Sequence, residues 1–180
     1  DTSVITSIGN DYDFSEIFSK QIRAIDAEVR RLIESDPTFK EMLLLLLSVP
    51  GVGLLLAAHF ILLAQFSLEY KLLASFLGIA PHEHSSGTSI YPRATSRHFG
   101  PPAMRKLLYL AACSICTHRP QFRAYLLRKT KEGKPARLVL NNVENKLIRI
   151  MCAVLSSRTA FIENYHPVQP LALQKALTRS

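Results

Sequence analysis

The residues best suited to chemistry sit in one stretch. Ser85-Ser86-Gly87 is preceded by His82 and His84 and followed by Arg93, Arg97 and His98. A serine hydroxyl becomes a nucleophile only when a neighbouring base or a metal activates it, and the histidines are available as bases. The arginines can hold two oxygens of a phosphate through their guanidinium forks. Ser-Ser-Gly is also an ordinary turn tripeptide, so residue chemistry alone leaves both readings open.

A second constellation is Ser48-Val49-Pro50-Gly51-Val52-Gly53, set between two apolar runs. Gly51 and Gly53 permit left-handed backbone and leave no side chain in the way. The backbone N–H groups there, with the start of a helix at Leu54, can face a phosphate. Such a contact positions DNA without reading its sequence. The alternative is a plain corner between two packed helices. A third group is basic: Arg105-Lys106, then Arg119, Arg123, Arg128, Lys129, Lys131, Lys134 and Arg137, interleaved with Tyr109, Phe122 and Tyr125. Cations beside aromatics suit a nucleic-acid backbone and unstacked bases, although aromatics at helical spacing also read as core. Metal chemistry finds little support. Cys113, Cys116 and His118 have zinc-ligand spacing but lie in a helical run without a second cysteine pair, so buried structural thiols are expected. His82-Glu83-His84 has no evident third ligand. Only Glu132 and Glu144 are acidic between residues 93 and 158, too few for a two-metal nuclease site.

The elements that must position these residues read as helices. Phe14, Phe18, Ile22, Ile25, Val29 and Leu32 form a narrow coiled-coil-like seam over about Asp13 to Glu34, with Asp11 or Asp13 as its cap. Ser35-Asp36-Pro37 separates it from a helix running to Val49. The apolar stretch Met42–Ala64 has the length of a membrane span, but Pro50–Gly53 cuts it and His59 interrupts its second half. Two buried helices joined by a turn are expected instead. A helix over Leu68–Leu77, capped by Ser67, ends at Gly78-Ile79-Ala80-Pro81. Residues 82–101 form one long irregular stretch, a length that is usually functional. Helices follow at about Pro102–His118, Pro120–Lys131 and Pro135–Arg158, and a loose tail ends the chain.

Composition agrees with an all-α fold. Of the 180 residues, 48% are apolar and only 7 are glycine, which argues against the many turns of a sandwich or barrel. Three cysteines cannot build a disulfide framework and point to a reducing compartment. The start carries no secretory signal, and the missing initiator Met suggests part of a longer protein. Charge is segregated. Residues 93–158 hold 14 basic and 2 acidic side chains, net +12, against a net of +8 for the whole chain. That block is the footprint of a polyanion binder.

The order of motifs adds a family resemblance. Val49-Pro50-Gly51-Val52-Gly53 is followed by Phe76-Leu77-Gly78-Ile79-Ala80-Pro81 and Ser85-Ser86-Gly87. Then come Ser96-Arg97, Gly100 and Arg105-Lys106-Leu107-Leu108-Tyr109-Leu110-Ala111-Ala112, the basic Lys131–Lys134 stretch and a closing apolar helix. Over residues 40–156 this resembles the C-terminal domain of the insertion-sequence 110/116/902 transposases, a group that includes the Piv-type invertases. The resemblance implies a companion RuvC-like domain with acidic metal ligands, joined through a coiled coil, and a serine that attacks the DNA phosphodiester. By position that serine is Ser86, with Ser85 as its neighbour and rival. It also implies a structured guide RNA and a higher oligomer. Two departures stand out: Thr88–Arg93 replaces a glycine- and arginine-rich stretch, and Gly100-Pro101 replaces Gly-Asn.

The expectation is therefore an all-α domain over residues 37–158 with a helix-hairpin-helix, preceded by a linker and coiled-coil helix over 1–36 and followed by a tail over 159–180. It is the DNA-binding, serine-bearing half of a transposase or site-specific recombinase, inactive alone. The expected site residues are Ser86 for catalysis and Gly51, Val52, Gly53, Arg93, Arg97, Arg105, Lys106, Arg123, Arg128, Lys129, Lys131 and Lys134 for nucleic acid. No metal is expected in this chain; Mg2+ belongs to the RuvC-like domain. The expected partners are DNA, a guide RNA and further copies through the N-terminal helix, in a prokaryotic cytoplasm at the nucleoid, without a membrane. The rival readings are a non-catalytic helix-hairpin-helix DNA-binding module and a structural coiled-coil domain.

Overall fold

Among the described residues of the computed structural model, seven helices follow one another: α1 Thr2–Glu34, α2 Pro37–Leu47, α3 Leu54–Ala64, α4 Tyr70–Phe76, α5 Pro102–His118, α6 Pro120–Lys131 and α7 Ala136–Ser157. The structure describes residues 2–82, 95–96 and 100–163, with side chains from Phe14 to Ala80 and from Gly100 to Glu163. The expected all-α class holds. The one addition is a pair of two-residue strands, β1 Pro81–His82 and β2 Thr95–Ser96, antiparallel with Pro81 opposite Ser96.

Local chemistry sets most boundaries. Asp36 caps α2: its Oδ1 accepts hydrogen bonds from the Thr38 and Phe39 backbone N–H groups at 2.7 and 3.2 Å, and Pro37 occupies the first turn. Proline also opens α5 and α6. Gly78, with φ +67°, ends α4; the Ile79 and Ala80 N–H groups return to the Ala74 carbonyl. Two expectations are corrected. α1 begins at Thr2, so Asp11 and Asp13 lie inside it and cap nothing. α4 begins at Tyr70, because the Ser67 hydroxyl accepts from Glu69 N–H in the turn before it.

The core centres on α7. Val139, Val143, Leu147, Ile148, Met151, Cys152 and Leu155 are buried on it, and it packs against α2, α4, α5 and α6. Leu43 and Leu46 of α2, Phe60 of α3, Leu77, and Met104 and Leu108 of α5 are fully buried as well. Burying each such side chain contributes about 1.5–3 kcal/mol. α1 differs. Asp26, Val29 and Ile33 turn towards the body, while Phe14, Phe18, Ile22, Ile25 and Leu32 of the seam stay more than half exposed. No helix among the described residues is long and apolar enough to cross a membrane.

Candidate nucleic-acid interface

The turn between α2 and α3 is anchored from within. Val49 and Val52 are buried, and the Val52 N–H donates to the Val49 carbonyl at 3.1 Å. Of the three turn residues expected to meet DNA, Val52 thus directs its side chain to the core and its N–H to the turn itself. Gly51 has φ +79°, and a Cβ there would lie 2.5 Å from Ile115 Cγ1 and 3.2 Å from the Ala111 carbonyl oxygen. Its lack of a side chain therefore lets the turn lie on α5. Gly53 is different: a Cβ would meet nothing within 4 Å. Gly53 is the N-cap of α3, and the first helical bond is Ala57 N–H to its carbonyl at 2.9 Å. The N–H groups of Leu54, Leu55 and Leu56 precede that bond and have no partner within the helix. The groove at this end is lined by Asp26, Gly51, Gly53, Leu55, Leu110 and Ser114. Asp26 thus brings one acidic group to the positive end of α3.

The segment that carries the serines meets the helical body on both sides, at Ile79 before it and at Gly100 after it. At its entry, the Asn141 and Asn145 side-chain amides, one turn apart on α7, both donate to the Ile79 carbonyl, at 3.0 and 2.9 Å. The second Asn145 contact, to the Asn141 carbonyl at 3.0 Å, uses the same Nδ2. At its exit, Gly100 adopts φ +91°, and a Cβ there would lie 2.4 Å from the Phe76 carbonyl oxygen. Only glycine fits so close to the end of α4. Between these points the β1–β2 pair closes a stem. Ser85, Ser86, Arg93 and Arg97 lie outside the described residues, as do His84 and His98.

The basic residues expected on α5 and α6 lie at the surface or half-buried just below it. Lys106, Arg123, Arg128, Lys131 and Lys134 are exposed, with Arg105 and Lys129 half-buried. α6 has no fully buried residue and ends in Arg128, Lys129 and Lys131. Lys129 is paired with Glu132 at 2.6 Å, which also holds that carboxyl below its ordinary pKa. Lys106, Arg123, Lys131 and Lys134 make no ion pair among the described residues. Tyr125 is half-buried under two cations, Lys146 Nζ at 4.2 Å and the Arg128 guanidinium at 5.8 Å from its ring centre. Phe122 packs against the core.

Residues 43–127 match the model of the transposase IS116/IS110/IS902 family. Residues 43–127, from α2 through most of α6, thus carry that family's domain. Among curated relatives, the pilin gene-inverting protein of Moraxella lacunata is 27% identical over 153 residues, covering 83% of this chain and 48% of its own length. An uncharacterized 43.6 kDa protein of insertion element IS110 from Streptomyces coelicolor is 30% identical over 151 residues, covering 82% of this chain and 36% of its own length. The chain thus spans about half, or less, of the transposase-type relatives it matches. A stretch of 25 residues is 68% identical to the phosphoheptose isomerase of Laribacter hongkongensis, covering 14% of this chain and 13% of that enzyme.

Other features of the transposase domain bear on the site. Glu144, on α7, is buried, and burial pushes its carboxyl up to about 7, against the pull of the Arg137 and Arg105 guanidiniums. Cys116 and Cys152 are buried thiols, with Cys152 raised to about 11 by burial. No group of three His, Cys, Asp or Glu side chains among the described residues could hold a metal. Sequence reading overlooked Asn141 and Asn145. Their signal was two amides four residues apart in a helix whose other inward positions, Glu144 apart, are apolar, which calls for a buried hydrogen-bond partner.

Proposed function

We propose that this chain is the DNA-engaging part of a transposase or DNA-inverting recombinase, with Ser86 as the nucleophile on the phosphodiester. The observation that carries the DNA reading is the basic surface of α5 and α6, where Lys106, Arg123 and Lys131 are exposed and make no ion pair among the described residues. Unneutralised cations on one surface release counterions from a duplex and bind its phosphates. The open N-terminus of α3 offers a further phosphate contact. The family match and the pilin gene-inverting relative support recombination as the purpose of that binding.

On this reading the Ser86 Oγ forms a bond to phosphorus and the bond from phosphorus to the leaving sugar oxygen breaks. The serine proton leaves Oγ, and the departing sugar oxygen takes up a proton to end as a hydroxyl. Arg93, Arg97 and Arg105 neutralise the non-bridging oxygens. The described residues offer no metal cluster, so Mg2+ is assigned to a companion acidic domain and no step here is routed through it. Assembly through the α1 seam and a structured guide RNA complete the proposal.

Two measurements test it. Fluorescence anisotropy with duplex DNA should show binding at low salt that weakens steeply as salt rises; a flat salt dependence removes the polyanion reading. In the full-length enzyme, Ser86→Ala should abolish the covalent protein–DNA species on a denaturing gel, while Ser85→Ala retains much of it. Normal recombination by Ser86→Ala would leave the domain as a non-catalytic DNA clamp.

A further inference from the structure

Among the described residues, the chain leading from α4 towards Ser86 is tied to α7 in an unusual way. Ile79 is buried, and its carbonyl lies just beyond the end of α4, where helix carbonyls lack helical partners. One donor would satisfy it. It receives two, from Asn141 and Asn145, across 62 and 66 residues of sequence. The Asn145 amide is also tied to the Asn141 carbonyl on its own helix, so its rotamer is fixed before it reaches Ile79. Two residues after Ile79 the first strand of the stem begins.

We propose that Asn141 and Asn145 are positioning residues, which set the β1–β2 stem against α7 and thereby the place from which residues 83–94 depart. The consequence for catalysis rests on the reading of Ser86 as nucleophile; the consequence for the stem does not. The argument is one of leverage. Gly100 fixes the exit of the loop by contact with the Phe76 carbonyl, which resists approach but does not hold the chain in place. The entry is the end with directional bonds, and a small rotation there moves everything beyond it. A nucleophile displaced by about 1 Å loses about a hundredfold in rate. The two amides are partly redundant, because either alone still satisfies the carbonyl. Removing both leaves a buried acceptor without a partner.

That redundancy defines the test. Asn141→Ala, Asn145→Ala and the double variant are compared with wild type by hydrogen exchange on this chain and by covalent adduct formation in the full-length enzyme. Each single variant should change either readout by less than about threefold. The double variant should speed exchange at the His82 and Thr95 amides, the hydrogen-bonded pair of the stem, by about tenfold or more, leave the α2 and α3 amides protected, and slow adduct formation at least as much. DNA affinity should stay within about twofold, since neither amide is placed among the phosphate contacts. Unchanged stem exchange in the double variant overturns the proposal. So does exchange that rises equally in α2 and α3, because the amides would then only stabilise the fold. If Ser86→Ala forms the adduct normally, the nucleophile assignment fails, and stem exchange still decides the role of the two asparagines.

Discussion

Replacing Gly51 by alanine should destabilise the chain, whereas the same change at Gly53 should not. At Gly51 the backbone has φ +79°, a conformation that costs an L residue about 1–2 kcal/mol. The added methyl would also lie 2.5 Å from Ile115 Cγ1 and 2.8 Å from its Cδ1. Ile115 is buried on α5, so relief requires repacking the core, typically about 1–3 kcal/mol. Together these give roughly 2–5 kcal/mol, a fall in melting temperature of about 5–15 °C for a chain of this size. At Gly53, φ is −97° and ψ is 175°, and no atom lies within 4 Å of the new Cβ. Alanine there should change stability by less than about 1 kcal/mol. Thermal unfolding followed by helical circular dichroism separates the two. Because Gly53→Ala folds, it also probes binding: a methyl ahead of the open N–H groups of α3 should weaken duplex affinity if phosphate sits there. Wild-type melting of Gly51→Ala would refute the reasoning, since the turn would then not be pressed onto α5.

Glu144 makes the pH dependence testable. Its folded pKa, about 7, exceeds the unfolded carboxylate value, so the neutral form favours folding. That contribution is complete below about pH 4.5 and is lost as pH rises towards 7. Glu144→Gln should therefore raise the melting temperature relative to wild type at pH 8 and change it little at pH 5; destabilisation confined to pH 8 would show that attraction to Arg105 and Arg137 outweighs burial. The seam on α1 gives a prediction about assembly. Phe14, Phe18, Ile22 and Ile25 are each exposed by 58–60%, a stripe too apolar to remain solvated. Light scattering should find a dimer or higher oligomer for the whole chain and a smaller species for a version starting at Asp36; two monomers would count against the seam as an interface.

The helices were legible because punctuation in this sequence is strong. Asp36-Pro37, Pro50–Gly53, Gly78, Pro102, Pro120 and Pro135 each lie within two residues of a helix boundary, where a fixed φ or a left-handed residue decides locally. The basic block was legible because charge on α6, which buries nothing fully, has nowhere to go but outward. What escaped depends on distant partners. The two turn glycines look equivalent in sequence, and only Ile115, on another helix, tells them apart. Val52 falls in the middle of a turn whose glycines read as a phosphate contact, yet it packs inward, because a short turn between two apolar helices needs its own anchor. The Asn141–Ile79 bond joins residues whose proximity follows from α4 packing on α7, which no local pattern encodes.

These long-range contacts converge on α7, and that convergence gives the site its mechanical logic. The buried face of α7 holds the core, Asn141 and Asn145 hold the entry to the serine loop, and Lys146 sits over Tyr125 of α6. Its Arg149 lies over Tyr70, at the first residue of α4, with the guanidinium 4.5 Å from the ring centre. The loop base and the basic surface are therefore referenced to one rigid helix rather than to each other through flexible turns. For a reaction in which one group must meet one phosphorus along a long polymer, that coupling matters. On the proposed reading, DNA held by α6 would fix where the backbone runs, and α7 would carry that reference to the stem. Prepaid orientation of this kind lowers the barrier without any residue on α7 touching the reacting atoms. Changes on α7 that leave DNA affinity intact should then act on the rate of strand cleavage, and changes on α6 should act on binding.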